Sequence, residues 1–349
     1  MALRFQDPLS TWGTGATSRT NMTTSSKGWL DFSGYVSCVS TVTGAPGGWS
    51  LYGNGGFNYL GLLSVGDPIA TIGLNVRMRL DVINGMSLFD FRNAAGTATY
   101  CSVRLLLNGS LTLNDTNGNV LETSAAGVFT VGSFIHFEAK VTVGTSGSFQ
   151  LRVNKAVIFN RTGLNVIGGS GVQVGIIGFT PGSGTNIAIA QPIIWDTTGS
   201  FCNDFLGPKV SYLIPVSSDG ATLQWGVVGG AGSSYGSVNE IPQNGATTYL
   251  EATTNGDVTL MGFQATSLSN VVALTIQHTD SMSSAGASEM KASLANGGSV
   301  TSGTSRNPAF PAWTAYQDHY YQDPAGSGAT SLTAPLAAGS LSVKLERTV

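Results

Sequence analysis

Residues 69–159 constrain this chain more than any other stretch, because apolar residues recur there at every second position between short polar turns. Ile72, Leu74, Val76, Met78 and Leu80 fall on one face, and Gly73, Asn75, Arg77 and Arg79 on the other. A period of two is that of a β-strand, here with one dry and one wet side. The pattern returns in residues 87–91, 102–107, 110–114, 134–143, 148–155 and 156–159. Asn108-Gly109 and Asn117-Gly118 separate successive runs. Asn-Gly is the strongest local hairpin signal, since both central residues of a type I′ turn need positive φ. The expectation is an antiparallel meander.

An apolar strand, Asn108-Gly109-Ser110-Leu111-Thr112-Leu113, a strand around Phe137-Glu138 and then Gly147-Ser148-Phe149 with Leu151, Val153 and Asn154 resemble a laminin-G/concanavalin-like jelly roll. More narrowly, the whole chain resembles a family of tailed-phage virion proteins. That family has a short N-terminal strand, such a jelly roll, and a C-terminal β domain. The β domain is entered through Trp-Asp-x-Thr-Gly, here Trp195-Asp196-Thr197-Thr198-Gly199, and Asn203-Asp204-Phe205-Leu206-Gly207. The resemblance implies a component of the particle: a capsid decoration, a fibre or a tail-associated subunit.

Composition agrees with an all-β chain. Charged residues are only 10 % of the sequence, hydrophobic residues 42 %, and Gly numbers 47. A disordered chain would be charge-rich and apolar-poor, so this one folds. Abundant Gly, Ser and Thr favour sheets joined by tight turns. After residue 195 the alternation breaks at Asp196-Thr197-Thr198-Gly199-Ser200. The domain boundary is placed there: 1–198 as the jelly roll and 199–349 as a C-terminal β-sandwich domain. In the second part, strands are expected at 209–215, 222–225, 247–252, 257–263, 270–278, 315–322 and 340–345. A loop or weak hairpin is expected over 281–305, and a helical turn over 331–336. Residues 1–198 carry 11 Lys and Arg against 9 Asp and Glu, net +2, and residues 199–349 carry 5 against 10, net −5. Neither half has a basic stripe, so nucleic acid is not an expected partner.

The chemistry looked for is sparse. A glycosidase needs two carboxylates across the scissile bond, and related enzymes supply them from one strand as Glu-x-Asp-x-Glu. The first domain has only Glu122 and Glu138 as glutamates, and Asp81 and Asp90 read as turn or surface carboxylates. Gly232-Ser233-Ser234-Tyr235-Gly236 matches the Gly-x-Ser-x-Gly pattern but lacks a following helical sequence. His136, His278 and His319 are isolated, which argues against a metal site, and His136 should lie on the wetter strand face. Asp115-Thr116-Asn117 offers oxygen ligands at a hairpin tip, as Asp and Asn do in turns without metal. Cys38, Cys101 and Cys202 are odd in number and lack CxxC spacing, so free thiols from a reducing cytosol are expected. The N-terminus has no apolar core of a secretory signal, and no window approaches about 18 apolar residues, so no membrane partner is expected. The sequence thus leads to the expectation of a non-enzymatic chain without cofactor or metal, made in the host cytoplasm and located on the virion.

Aromatic clusters are the feature that could carry binding. Trp49, Tyr52, Phe57 and Tyr59 form one, and Phe310, Trp313, Tyr316, Tyr320 and Tyr321 another. Three readings stay open: core packing, subunit or particle contact, and stacking on a sugar ring. The expected partners are other capsid or tail proteins and further copies of the chain, with a trimer as the anticipated closed form. A receptor- or glycan-binding adhesin contacting host surface glycan is the alternative function.

Overall fold

The structure is a computed structural model. It describes residues 3–6, 29–32, 36–39, 45, 50–54, 61–167, 171–180, 186–229, 232–238, 247–282, 288–308, 313–326 and 331–349. The chain divides into two compact units, one made of residues 1–23 and 28–212 and the other of 24–27 and 213–349. Residues 199–212, assigned from the sequence to the second domain, therefore pack with the first. The reason is a set of polar contacts described below.

Among the described residues the first unit contains strands β1 (Leu3–Gln6), β2 (Trp29–Phe32), β3 (Val36–Val39), β4 (Ser50–Asn54), β5 (Gly61–Ile69), β6 (Thr71–Leu80), β7 (Met86–Arg92) and β8 (Thr99–Leu105). They continue with β9 (Leu111–Asn114), β10 (Val120–Thr123), β11 (Ile135–Thr142), β12 (Gly147–Val153), β13 (Ala156–Leu164), β14 (Val174–Phe179) and β15 (Asn186–Asp196). One sheet runs β13-β12-β11-β6-β15-β4-β3, with β1 also paired to β15, and the other runs β10-β9-β8-β7-β14-β5-β2. The pairs are antiparallel. The core between the sheets is built from the alternating residues: Ile72, Leu74, Val76, Met78 and Leu80 of β6 meet Phe89, Phe91, Phe137, Phe149 and Leu151. Phe89 and Phe91 pack edge to face at 6.1 Å, and Phe89 and Phe137 at 6.2 Å. Leu3 faces Trp195 in the β1–β15 ladder, so the first strand covers the edge of the last.

The Asn-Gly hairpins are not type I′. Only the glycines, Gly109 (φ 76°) and Gly118 (φ 81°), are left-handed. The Gly109 amide returns to the Leu106 carbonyl and the Gly118 amide to that of Asp115, so each is a type I turn closed by a left-handed glycine. Type I′ geometry belongs instead to Asn154-Lys155, where both φ values are positive and Val153 pairs with Ala156.

The second unit contains β16 (Val216–Leu223), β17 (Gly226–Val228), β18 (Tyr249–Glu251), β19 (Val258–Phe263), β20 (Leu274–Asp280), β21 (Met290–Asn296), β22 (Ser299–Thr301), β23 (Thr314–Tyr320), α1 (Thr333–Ala337) and β24 (Leu341–Arg347). A five-stranded sheet β16-β19-β24-β21-β22 is joined by two ribbons, β17-β18 and β20-β23. Leu341, Val343 and Leu345 of β24 enter a core with Leu294, Leu274, Ile276 and Tyr320. The strand expected at 209–215 is absent and begins at Val216 instead. The Ser- and Gly-rich stretch 281–305 supplies β21, a strand inside the sheet, and its hairpin to β22. Ala292, Leu294 and Ala295 bury completely or nearly so, which a scan for large apolar residues underrates.

Candidate functional site

The face of β6 expected to be wet is covered. Across β12, β11 and β6 the register aligns Arg152 with Glu138 and Glu138 with Asn75, and the next row aligns His136 with Arg77. Asn75, His136 and Glu138 are each at most 2 % exposed. The irregular segment 202–211 lies across Asn75, Arg77 and Glu138 without joining the sheet.

Its hold is specific. The Gly207 amide donates to Glu138 Oε1 at 2.7 Å, and Asn75 Nδ2 donates to the Gly207 carbonyl at 2.7 Å. Arg77 donates to the Pro208 carbonyl at 3.3 Å. Gln191, left-handed at φ 54° in a bulge of β15, donates to the Ser211 carbonyl at 3.0 Å. Lys140 pairs with Asp204 at 2.8 Å. Phe205 lies edge-on to Trp195 at 5.7 Å, with the Arg152 guanidinium 3.7 Å from its ring centre and Lys140 at 4.9 Å. Trp195 in turn lies directly over Gly73, where a Cβ would run into the indole. Asp196 accepts from the Thr198 amide at 2.7 Å and hydroxyl at 2.6 Å, and pairs with Arg4 at 2.5 Å.

Electrostatically the face is cationic. The sheet itself brings Arg77, Lys140 and Arg152 against one carboxylate, Glu138, whose pKa burial pushes up against the Gly207 and Leu206 amides, Arg152 and Asn75, while Asp204 of the covering segment pairs with Lys140. His136 is held down at about 4, by burial first and then by Arg77 and Lys155, so its imidazole is neutral at pH 7. Both its ring nitrogens, and Nε of Arg77 and of Arg152, are buried without a hydrogen-bond partner. A neutral imidazole, two guanidinium groups, a carboxylate and an amide on one sheet face can bind anionic groups and accept a proton.

The second unit holds another polar cluster. His278 Nδ1 lies 2.8 Å from an Asp280 oxygen and Nε2 3.5 Å from Asp318, while Arg306 grips both Asp318 oxygens at 2.6 and 2.9 Å. Burial pulls the His278 pKa down, but the two carboxylates outweigh it and raise it to about 9. Asp318 is held far below the carboxylate range: burial opposes this, and His278 and Arg306 prevail. Two cations and two carboxylates balance, so the cluster reads as structural.

The sequence-selected residues scatter. Trp49, Phe57, Tyr59 and Phe310 lie outside the described residues. Tyr52 and Tyr321 are half-buried, and Trp313 packs edge to face on Tyr249 at 5.9 Å. Tyr316 and Tyr320 are not surface aromatics: Tyr316 is buried against His278, and the Tyr320 hydroxyl donates to the Ala292 carbonyl at 2.6 Å. Asp81 is exposed beside Arg79, Asp90 is buried against Arg92, and Glu122 stands 3.8 Å from Arg161. Asp115 uses its oxygens on the amides of Asn117 and Asn119 and the Asn119 side chain. Ser234 precedes one 3-10 turn, Tyr235–Ser237, and the Ser234 and Tyr235 amides bond to Asp219. His319 meets Thr275 at 2.8 Å. Cys101 is a buried free thiol, and Cys202 is half-buried. The polar face escaped the sequence reading because its members lie far apart in the chain. The available signal was that alternation placed His136, Glu138, Asn75 and Arg77 on outward faces of adjacent strands.

No protein-family model and no curated protein matches the chain. Solved structures do. The alginate lyase Aly36B is similar at TM-score 0.41 and 12 % identity, over 55 % of this chain and 96 % of that one. An endo-β-1,4-glucuronan lyase from the fungus Trichoderma reesei is similar at TM-score 0.37 and 12 % identity, over 55 % and 95 %. A Bacillus subtilis protein with a galectin-like fold is similar at TM-score 0.38 and 9 % identity, over 56 % and 96 %. The all-β jelly-roll class expected from the sequence is the class observed. The expectation of a non-enzymatic chain is corrected by the lyases among these structures. That expectation rested on the lack of paired carboxylates, which bears on acid–base hydrolysis alone.

Proposed function

We propose that the chain is a structural surface protein of a tailed-phage particle, a capsid decoration, fibre or tail-associated subunit, present as a homo-oligomer. The observation that carries this reading is the role of the two motifs behind the family resemblance. Trp195, Asp204, Phe205 and Gly207 of these motifs take part in fastening segment 202–211 to the sheet, while Asp196 with Thr198, and Asn203 with the Gly199 carbonyl at 2.9 Å, bond within the turn that leads into it. A junction clamped by such contacts suits a protein that must hold its shape in a rigid assembly. Particle reconstruction tests the reading: it expects the chain at symmetry-related positions on head or tail. Its absence from purified particles would overturn it, and sedimentation as a monomer at micromolar concentration would remove the oligomer.

The cationic sheet face favours a second reading, a glycan-binding protein of the particle. Indole and phenyl rings beside guanidinium, amide and carboxylate groups are the chemistry that recognises acidic sugars. Binding of host surface polysaccharide that is lost in Arg77→Gln supports it, and equal binding by both proteins would refute it.

A further inference from the structure

We infer that segment 202–211 is a removable cover on a binding site for acidic saccharides, formed by the β12-β11-β6 face of the first unit; this rests on the glycan-binding reading above. The cover presents the groups such a ligand would present. It offers a carboxylate to Lys140 through Asp204, a ring to Arg152 through Phe205, and a donor and an acceptor to Glu138 and Asn75 through the Gly207 peptide unit. A uronate oligosaccharide carries the same three: a carboxylate, ring faces, and hydroxyls that both donate and accept.

The cover leaves part of the face unused. His136 has two ring nitrogens without partners, and Arg77 and Arg152 each keep an idle Nε, all buried. Buried polar atoms are nearly always paired, so four idle ones on one face call for an explanation. A hydroxyl- and carboxylate-rich ligand supplies acceptors for the two Nε–H groups and the imidazole N–H, and a hydroxyl donor for the other imidazole nitrogen. Charge points the same way, because with Asp204 withdrawn Arg77, Lys140 and Arg152 face only Glu138.

The cover is held by point contacts rather than by a ladder. It contributes no strand to the sheet; Cys202, Asn203, Phe205, Leu206, Gly207, Lys209 and Val210 are half-buried, Asp204 and Pro208 are exposed, and only Ser211, at the end held by Gln191, is buried. The apolar core lies on the opposite side of β6 and β11, so lifting the cover leaves that core closed and uncovers polar side chains together with the Trp195 indole.

The test compares the full wild-type chain with the Asp204→Ala/Phe205→Ala double variant. Calorimetry measures binding of hexamers of galacturonate and of alginate, with cellohexaose as the uncharged control. The expected result is at least tenfold tighter uronate binding by the double variant, no gain for cellohexaose, and loss of the gain on adding Arg77→Gln. Equal, Arg77-dependent uronate binding by both proteins would keep the glycan reading and overturn the cover. No uronate binding by a folded variant whose segment 202–211 has become protease-sensitive would overturn both. Should the double variant fail to fold, a protease site inserted after Asn203 and cut in the folded chain frees the cover with its side chains intact. The same outcomes then apply.

Discussion

Glu138 accepts the Gly207 amide at 2.7 Å although 69 residues separate them, and with that bond the chain after β15 is fastened back onto β11. Burial raises the carboxyl pKa, so the bond is formed at a desolvation cost that the amides, Arg152 and Asn75 only partly offset. Glu138 therefore acts as a positioning group for the segment.

Removing that acceptor should loosen the segment. Glu138→Ala leaves the Gly207 amide unpaired and is expected to destabilise the first unit by about 1–3 kcal/mol. Glu138→Gln keeps an acceptor and sheds the buried charge, so its loss should be under about 1 kcal/mol. Denaturant melts, with protease cleavage in 199–212 as the local readout, check both. Wild-type behaviour of Glu138→Ala would mean the bond contributes nothing.

Gly73 is required by Trp195. An added Cβ meets the six-membered ring of the indole, which is fully buried and cannot swing aside. Gly73→Ala should cost about 1–3 kcal/mol through overpacking, and Gly73→Val more. Thermal melting and tryptophan emission report it, since a displaced Trp195 gains solvent and shifts to the red. An unchanged Tm and spectrum would remove the contact.

Acid should weaken the first unit. His136 has a pKa near 4 in the folded chain against 6.5 when free, so the unfolded chain takes the proton first. Stability is then full above about pH 6.5, falls as pH drops towards 4, and levels off below. The lost contribution is on the order of 3 kcal/mol. Glu138, with its raised pKa, titrates with the opposite sign, so the difference between wild-type and His136→Gln curves is the quantity to read. A difference independent of pH between 4 and 7 would contradict the burial of a neutral imidazole.

The second unit should respond to alkali instead. The folded-state pKa of His278, about 9, lies above its free value, so its contribution is full below about pH 6.5 and disappears as pH rises through 9. Asp280→Asn should bring the imidazole titration down, as followed by NMR of its ring protons. An imidazole titrating near 6.5 in the wild type would refute the network.

Arg306 holds the same cluster from the other end. With Arg306→Met, Asp318 stays buried and loses its bidentate partner, a loss of about 3–5 kcal/mol for a broken buried pair. Replacing Asp318 as well, by Asn, should recover part of it, because the uncompensated charge is then gone. A double-mutant cycle in denaturant melts checks the coupling.

Period-two alternation in residues 72–80 was enough to name the core side of β6, because side-chain direction in a strand is a local property. The one-turn helix Thr333–Ala337 overlaps the stretch 331–336 where a helical turn was expected. Where local rules misled, a non-local term had won. The Asn-Gly turns kept their place but took the type I form with a left-handed glycine, and β21 formed from small residues because its neighbours β22 and β24 supplied both ladders.

The sequence by itself determined that residues 69–159 become strands, which of their faces is apolar, and that a break follows Trp195. Only the tertiary structure decided that the opposite face would also be closed. Asn75 meets Gly207 across 132 residues, and Gln191 meets Ser211 through a bulge that no pattern announces. Alternation distinguishes the two sides of a strand, but whether a polar side meets water or a distant segment depends on where the rest of the chain comes to lie.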